Sequence, residues 1–227
     1  MAGQSDWRDD ETLSARIRAM RRGQRHQAAY LALRRLQAPL ILLEMPQGWG
    51  VDPAAVDALL RSGETHLDGD VNEDLQQAIA ELSAAPLFES EIEPEFAESF
   101  QLEAISGWLM LAEALGEMTE VQTETVIYLA RELADYLDRY MESSLTVVEG
   151  EAIHERYLAG IDDRLRSYGL DYFGSRNLEV EGVCHKAILA APEGEDVLSS
   201  AEGHELLNAC DEYSRQILSA LQAFPVD

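Results

Sequence analysis

The sequence predicts an all-α fold, a single-domain helical bundle of about seven to nine helices that spans residues 1–227. Two observations lead to this prediction. Apolar residues recur every three or four positions along most of the chain, which is the period of an amphipathic helix. Long runs of strand-like alternation and internal repeats are absent from the sequence, which disfavours sheet and solenoid folds.

The first elements are an arginine-rich helix and an apolar helix. Residues 1–22 are a candidate N-terminal arm, and one face of this arm carries the apolar side chains Leu13, Ile17 and Met20. Gly23 is predicted to separate the arm from a second helix, QRHQAAYLALRRLQAPLILLE, which should kink at Pro39. Asp52 followed by Pro53 is typical of a helix start, so a short helix is predicted over AAVDALL.

The middle of the chain should contain a long antiparallel pair at the centre of the bundle. The helix EDLQQAIAELSAA is predicted to begin after a cap at Asp70. The next segment, PLFESEIEPEF, alternates apolar and acidic residues and is predicted to be an extended linker, with one short strand as an alternative. Two long helices are then predicted over 94–115 and 119–141, and the short turn between them should bring them side by side.

The C-terminal part is predicted to begin and end with a helix. Apolar residues at helical spacing predict one helix over about 153–168 and another over about 200–224. Residues 169–200 are less regular, and NLEVEGVCHKAILAAPEGED is compatible with a short strand or with a helix that ends before Pro192.

The net charge of −26 is unevenly distributed. Residues 1–35 carry a net charge of +4 and the remainder carries −30, and the window between Arg61 and Arg131 contains 16 acidic residues and no Lys or Arg. Such a surface repels nucleic acid and anionic membranes and attracts basic proteins. Solubility alone is the alternative explanation.

Targeting and cofactor signals are missing from the sequence. No apolar run reaches the roughly 18 residues that a membrane span requires, and the polar start MAGQSDWRDDE is not typical of a signal peptide. Two cysteines do not make a disulfide framework. We therefore expect a cytoplasmic protein, and in the absence of Walker, G-x-G-x-x-G and G-x-S-x-G motifs we expect no cofactor.

Residues 68–74 resemble the start of a calcium loop, because oxygen-bearing side chains alternate at Asp68, Asp70, Asn72 and Asp74. An EF-hand loop also needs glycine at its sixth position and a bidentate glutamate at its twelfth. Those positions hold Glu73 and Ile79. We therefore expect a helix cap that places negative charge at the positive end of a helix, and no metal site.

Other metal patterns are weaker. Glu151 and His154 have the Glu-x-x-His spacing of di-iron bundles, but only one copy is present and such sites need two. Zinc ligands could come from Cys184, His185, His204 and Cys210, but their spacing does not place them on one face.

A run of glutamates precedes the first long helix and is the candidate interaction surface: Glu89, Glu91, Glu93, Glu95 and Glu98. A solvated acidic face is the ordinary interpretation of such a run.

Residues 30–141 resemble the YjaG-type family of bacterial domains of unknown function. The matching layout consists of LRRLQAPLILLE, VDPAAVDALL, DVNEDLQQAIAELSAAP, EAISGWLMLAEALGEM and TETVIYLARELADYLDRYM. The resemblance covers about half of the chain. It implies a compact all-helical fold and supplies no catalytic residues.

Three functional hypotheses follow. The first is a cytoplasmic, non-enzymatic protein that acts through protein–protein contacts. The second is an acidic immunity-type inhibitor that neutralises a basic toxin or nucleic-acid-binding protein. The third is an enzyme whose site is assembled only in three dimensions. The charge asymmetry also predicts either a homodimer or an N-terminal arm docked on its own chain.

Overall fold

The chain is all-α, as the sequence predicts. The computed structural model describes residues 11–65, 73–89, 94, 96–146, 171–192 and 196–223, and these residues contain no strand. They form ten α-helices and two short 3₁₀ turns at Gln47–Trp49 and Val197–Ser199. The helices are α1 Glu11–Ala19, α2 Arg22–Arg34, α3 Gln37–Leu42, α4 Pro53–Thr65, α5 Glu73–Ser83, α6 Pro86–Glu89, α7 Phe96–Glu113, α8 Glu120–Thr146, α9 Tyr172–Ala190 and α10 Ala201–Ala223.

The break between α1 and α2 was predicted at Gly23. In the structure it lies before Gly23, because α2 already begins at Arg22. Arg21 has an extended backbone, and its N–H donates a hydrogen bond to Gln24 Oε1 at 3.0 Å. This capping arrangement starts α2 at Arg22 and places Gly23 inside its first turn.

The predicted kink at Pro39 is also displaced. The helix ends at Arg34 and a new helix begins at Gln37. Pro39 is the third residue of α3, where a backbone N–H has no intrahelical acceptor, so proline is tolerated there.

The most enclosed helix is α2. It contacts α3, α7, α8, α9 and α10, and its side chains from His26 to Leu33 are all buried. Gly107 in α7 permits close approach to α2, because an added Cβ would lie 2.4 Å from Leu33 Cδ2. The two long helices α7 and α8 also pack together, with Trp108 and Leu133 buried. However, α8 packs most extensively against α2 and α9.

Helix α1 docks on α8 within the same chain. Its apolar face is at most 2% exposed at Leu13, Ile17 and Met20. Ser14 Oγ donates to Glu124 Oε1 at 2.5 Å. The described part of the arm therefore has the docked arrangement, and apolar burial supplies most of its stabilisation because exposed ion pairs contribute only about 0–1 kcal/mol.

Two further segments differ from the simplest expectation. Residues 86–89 form α6 instead of an extended linker, because proline suits the first position of a helix. The irregular stretch before Pro192 is the helix α9, and no strand forms there. The helix predicted over 153–168 lies outside the described residues.

No helix in the described part of the chain has both the length and the apolar character needed to cross a bilayer.

Candidate functional site

A groove lies between α7 and α8 on the described surface. It encloses about 580 Å³. Its lining, which we call the acidic groove, consists of Ser99 and Glu103 from α7 and of Val121, Glu124, Thr125, Tyr128, Leu129, Glu132, Leu133 and Tyr136 from α8.

The groove exists because α8 has two usable faces. One face is buried against α2 and α9 and includes Val126, Ile127, Ala130, Ala134 and Leu137. The groove residues of α8 also recur at three- and four-residue spacing from Val121 to Tyr136, so they form a second continuous stripe. At 1.5 Å per residue, this stripe is about 22 Å long.

The groove combines an apolar floor with an acidic rim. Leu133 is buried and Leu129 is half-buried, whereas Val121 is 71% exposed. Among the described residues, the charged members of the lining are the glutamates Glu103, Glu124 and Glu132, and no described Lys, Arg or His belongs to it. An exposed apolar surface rimmed by one sign of charge is typical of a binding site.

The carboxylates of the groove influence one another. Burial raises the pKa of Glu103, and the nearby charge of Glu132 raises it further. Among the described residues, neither Glu103 nor Glu132 has an ion-pair partner. A cation placed between these two carboxylates would therefore relieve repulsion in addition to forming new contacts.

At one end the groove continues between α1 and α8. A second depression of about 390 Å³ shares Val121 and Glu124 with the acidic groove. Two further glutamates near this end are already paired, since Arg22 contacts Glu117 at 2.9 Å and Arg25 contacts Glu120 at 2.7 Å.

At the other end the groove is closed by aromatic rings. Tyr136 packs against Phe96 and Phe100 with centroid distances of 6.0 and 6.3 Å. Phe96 also stacks against Tyr140 at 4.0 Å. These contacts hold Tyr136, which is 40% exposed, in a fixed position at the groove wall.

Of the predicted interaction surface, the structure describes the side chain of Glu98. Glu98 lies half-buried in the first turn of α7, one residue before Ser99 of the groove. Glu89 ends α6, and its side chain lies outside the described part, as do Glu91, Glu93 and Glu95. The glutamates that line the groove were not singled out by the sequence, although Glu124 and Glu132 share the stripe of Tyr128 and Tyr136.

The candidate metal ligands do not form a metal site within the described residues. Asp74 is exposed in the first turn of α5, where its charge faces the positive end of the helix. Asp68, Asp70, Asn72, Glu151 and His154 lie outside the described residues. Within the described residues, no three Asp, Glu, His or Cys side chains are grouped closely enough to hold a metal ion.

A buried charge cluster at the junction of α2, α8 and α9 was not anticipated from the sequence. Arg131 donates two hydrogen bonds to Glu181, at 2.5 and 3.0 Å. Arg35 donates from Nε to Asn177 Oδ1 at 2.8 Å, and its Nη2 lies 3.9 Å from Glu181. The one available signal was the spacing of Asn177, Glu181 and His185, which places three polar residues on one face of α9.

Next to this cluster the two cysteines meet. Cys184 and Cys210 are both buried and free. A hydrogen bond between their thiols lowers the pKa of Cys184 and raises the pKa of Cys210. His204 is exposed on the first turn of α10, so the described structure does not bring the four zinc candidates together.

Comparison with protein-family models, with curated proteins and with solved structures gives no match for this chain. None of the three bears on the resemblance to the YjaG-type family, which stays a prediction.

Proposed function

We propose that the protein is a non-enzymatic binding protein whose acidic groove holds a basic amphipathic helix of a partner protein. The observation that supports this most directly is the combination of an apolar floor and three glutamates, with no cation among the described residues of the lining. The two buried free thiols, Cys184 and Cys210, are compatible with a cytoplasmic location.

The shape of the groove supports a helical ligand. A stripe of about 22 Å corresponds to roughly four helical turns, or about 15 residues. Helix-in-groove recognition places apolar side chains at three- and four-residue spacing into such a floor. Leu129, Leu133 and the exposed Val121 would receive them, while Lys or Arg on the flanks would meet Glu103 and Glu132.

The apolar floor also favours this function over the alternatives. A pure phosphate mimic would need acidic surface but not the exposed Val121 and Tyr136. A homodimer through the N-terminal arm would need a free apolar face on α1, and that face is buried within the chain at Leu13 and Ile17. A metal-dependent enzyme would need ligands grouped closely, which the described residues lack.

The proposal is tested with a labelled 16-residue amphipathic helix that carries Leu on one face and Lys and Arg on its flanks. Fluorescence anisotropy should detect binding that weakens with salt, because exposed charge pairs are screened. The double variant Glu103→Gln/Glu132→Gln should bind about five- to tenfold more weakly, which corresponds to roughly 0.5–0.7 kcal/mol per charge.

Two controls keep this result specific. Glu202 and Glu205 are exposed glutamates of α10, away from the groove lining, and Glu202→Gln/Glu205→Gln should leave the affinity unchanged. A peptide with the same composition but a scrambled apolar stripe should bind poorly. Equal weakening by both double variants would show that only net charge matters and would refute the proposed groove.

A further inference from the structure

A second pocket, between α1 and α9, has the opposite charge to the groove. It encloses about 530 Å³ and is lined by Arg16, Gly182, His185, Lys186, Leu189 and Ala190. Every charged or titratable residue in the described part of this lining is basic, in a chain of net charge −26. Lys186 is the only lysine of the sequence.

The two cations of this pocket are available. No described residue forms an ion pair with Arg16 or Lys186, whereas Arg22, Arg25 and Arg34 each pair with a carboxylate. Arg16 also lies close enough to His185 for its charge to act on the imidazole. The carboxylate of Glu181, 3.9 Å from His185 Nδ1, is buried and already holds Arg131.

His185 provides a buried polar group in the lining. Its side chain is 2% exposed, and its Nδ1 has no hydrogen-bond partner among the described residues. The carboxylate oxygen Glu181 Oε1 lies 3.9 Å from that nitrogen, which is beyond hydrogen-bond distance. Buried polar groups without a partner are uncommon in folded proteins, and this one lies where two free cations converge.

We propose that this pocket binds a small organic phosphate monoester. A phosphate monoester carries nearly two negative charges at neutral pH, which matches the charges of Arg16 and Lys186 better than a carboxylate does. The volume is in the range of small-molecule sites, and Leu189 and Ala190 offer an apolar wall for the organic group. The negative charge of the rest of the chain is screened beyond about 8 Å at physiological salt.

The test titrates the protein with phenyl phosphate as the probe. Binding is monitored by amide chemical shifts in NMR at constant ionic strength. Shifts should concentrate at Gly182, His185 and Lys186 and should saturate. Benzoate, a monoanion of similar size, should bind at least fivefold more weakly. Inorganic phosphate should bind more weakly than phenyl phosphate, because it lacks the apolar group; equal affinities would contradict the organic part of the proposal.

Matched variants decide whether the pocket is responsible. Arg16→Gln and Lys186→Gln should each weaken phenyl phosphate binding at least fivefold, and Lys186→Arg should retain most of it. Arg215 is an exposed arginine of α10 outside this lining, so Arg215→Gln should have no effect. Unchanged affinity in the two pocket variants, or an equal loss in Arg215→Gln, would overturn the assignment.

Discussion

Glu181 and Glu132 lie on helices that pack together, yet their carboxylates have opposite surroundings. Glu181 on α9 is 1% exposed and accepts two hydrogen bonds from Arg131. Glu132 on α8 follows Arg131 in sequence but is exposed in the acidic groove, with no ion-pair partner among the described residues. Consecutive helical residues differ by about 100° in direction. On α8, Arg131 therefore points into the core and Glu132 points into solvent.

The difference separates the roles of the two regions. A buried carboxylate must be paired, because leaving a charge unpaired in the core is costly. The contacts of Glu181 are therefore already used by the fold. Exposed carboxylates such as Glu132 and Glu103 contribute little to folding and remain available to a ligand. The same residue type is thus expected to govern stability in one region and binding in the other.

The largest difference between the two regions should appear when each carboxylate is removed in turn. Glu181→Ala leaves Arg131 and Arg35 buried without their acceptor and should lower the free energy of unfolding by about 3–5 kcal/mol. Glu132→Ala should change it by no more than about 0.5 kcal/mol. Urea denaturation measures both values. Similar losses in the two variants would mean that the groove carboxylate is structural as well.

The second largest effect should be a loss of stability in acid that comes from the buried histidines. Burial lowers the pKa of His26 and of His185 to about 4, from 6.5. The unfolded chain then binds more protons between pH 6.5 and 4, so stability falls as the pH drops through this window. Each histidine should cost about 2 kcal/mol between pH 6.5 and 5, at 1.36 kcal/mol per pH unit.

Urea unfolding at pH 7.5, 6.5 and 5 measures this effect, with His26→Gln and His185→Gln as variants that cannot be protonated. Each variant should have a shallower loss of stability with acid than the parent chain. Parallel pH profiles for all three proteins would show that the imidazoles are protonated in the folded state and that the predicted cost is absent.

Asp138 is an intermediate case and should give the smallest effect. It is buried on α8, and its two oxygens accept the N–H groups of Phe173 and Gly174 at 2.9 and 2.6 Å, which caps the start of α9. Asp138→Asn keeps one acceptor and should cost about 1 kcal/mol at pH 7.5.

The pH dependence of the stability loss in Asp138→Asn serves as the control for this prediction. Burial raises the pKa of Asp138 to about 6, despite the two backbone hydrogen bonds that lower it. The folded state therefore binds more protons than the unfolded state between about pH 6 and 3.8, and the native carboxyl gains relative stability as the pH falls through this window. The wild-type chain gains this stability at pH 5 and the Asn variant does not, so the penalty of Asp138→Asn should be larger at pH 5 than at pH 7.5. A constant penalty would indicate that the carboxyl stays ionised.

The sequence predicted the helices that have one apolar face. Leu75 and Leu82 of α5, and Leu206, Tyr213 and Ile217 of α10, follow the helical period and are buried. The sequence was less informative for α2 and α9, because residues on several faces of these helices are buried and the periodic contrast is weak. This explains the misplaced break at Gly23 and the strand alternative before Pro192.

The groove and the charge cluster were harder to predict because both depend on packing between distant segments. Arg35 and Asn177 are 142 positions apart, and no local pattern pairs them. The acidic window between Arg61 and Arg131 contains Glu103 and Glu124, but the spacing of α8 alone could not show which of its two stripes would face the core. The contact between Cys184 and Cys210 depends in the same way on how α9 and α10 pack.

The enclosed position of α2 has a consequence during synthesis of the chain. Its side chains reach partners far towards the C-terminus, since Gln24 donates to the carbonyl of Ile188 at 2.6 Å and Arg34 binds Asp211 at 2.6 and 2.9 Å. At 5–20 residues per second, roughly 10–40 s pass between the translation of α2 and that of the end of α10. Throughout that interval one of the most buried helices of the protein lacks its final neighbours, so the nascent chain exposes surface that is prone to aggregation until its last helix leaves the ribosome.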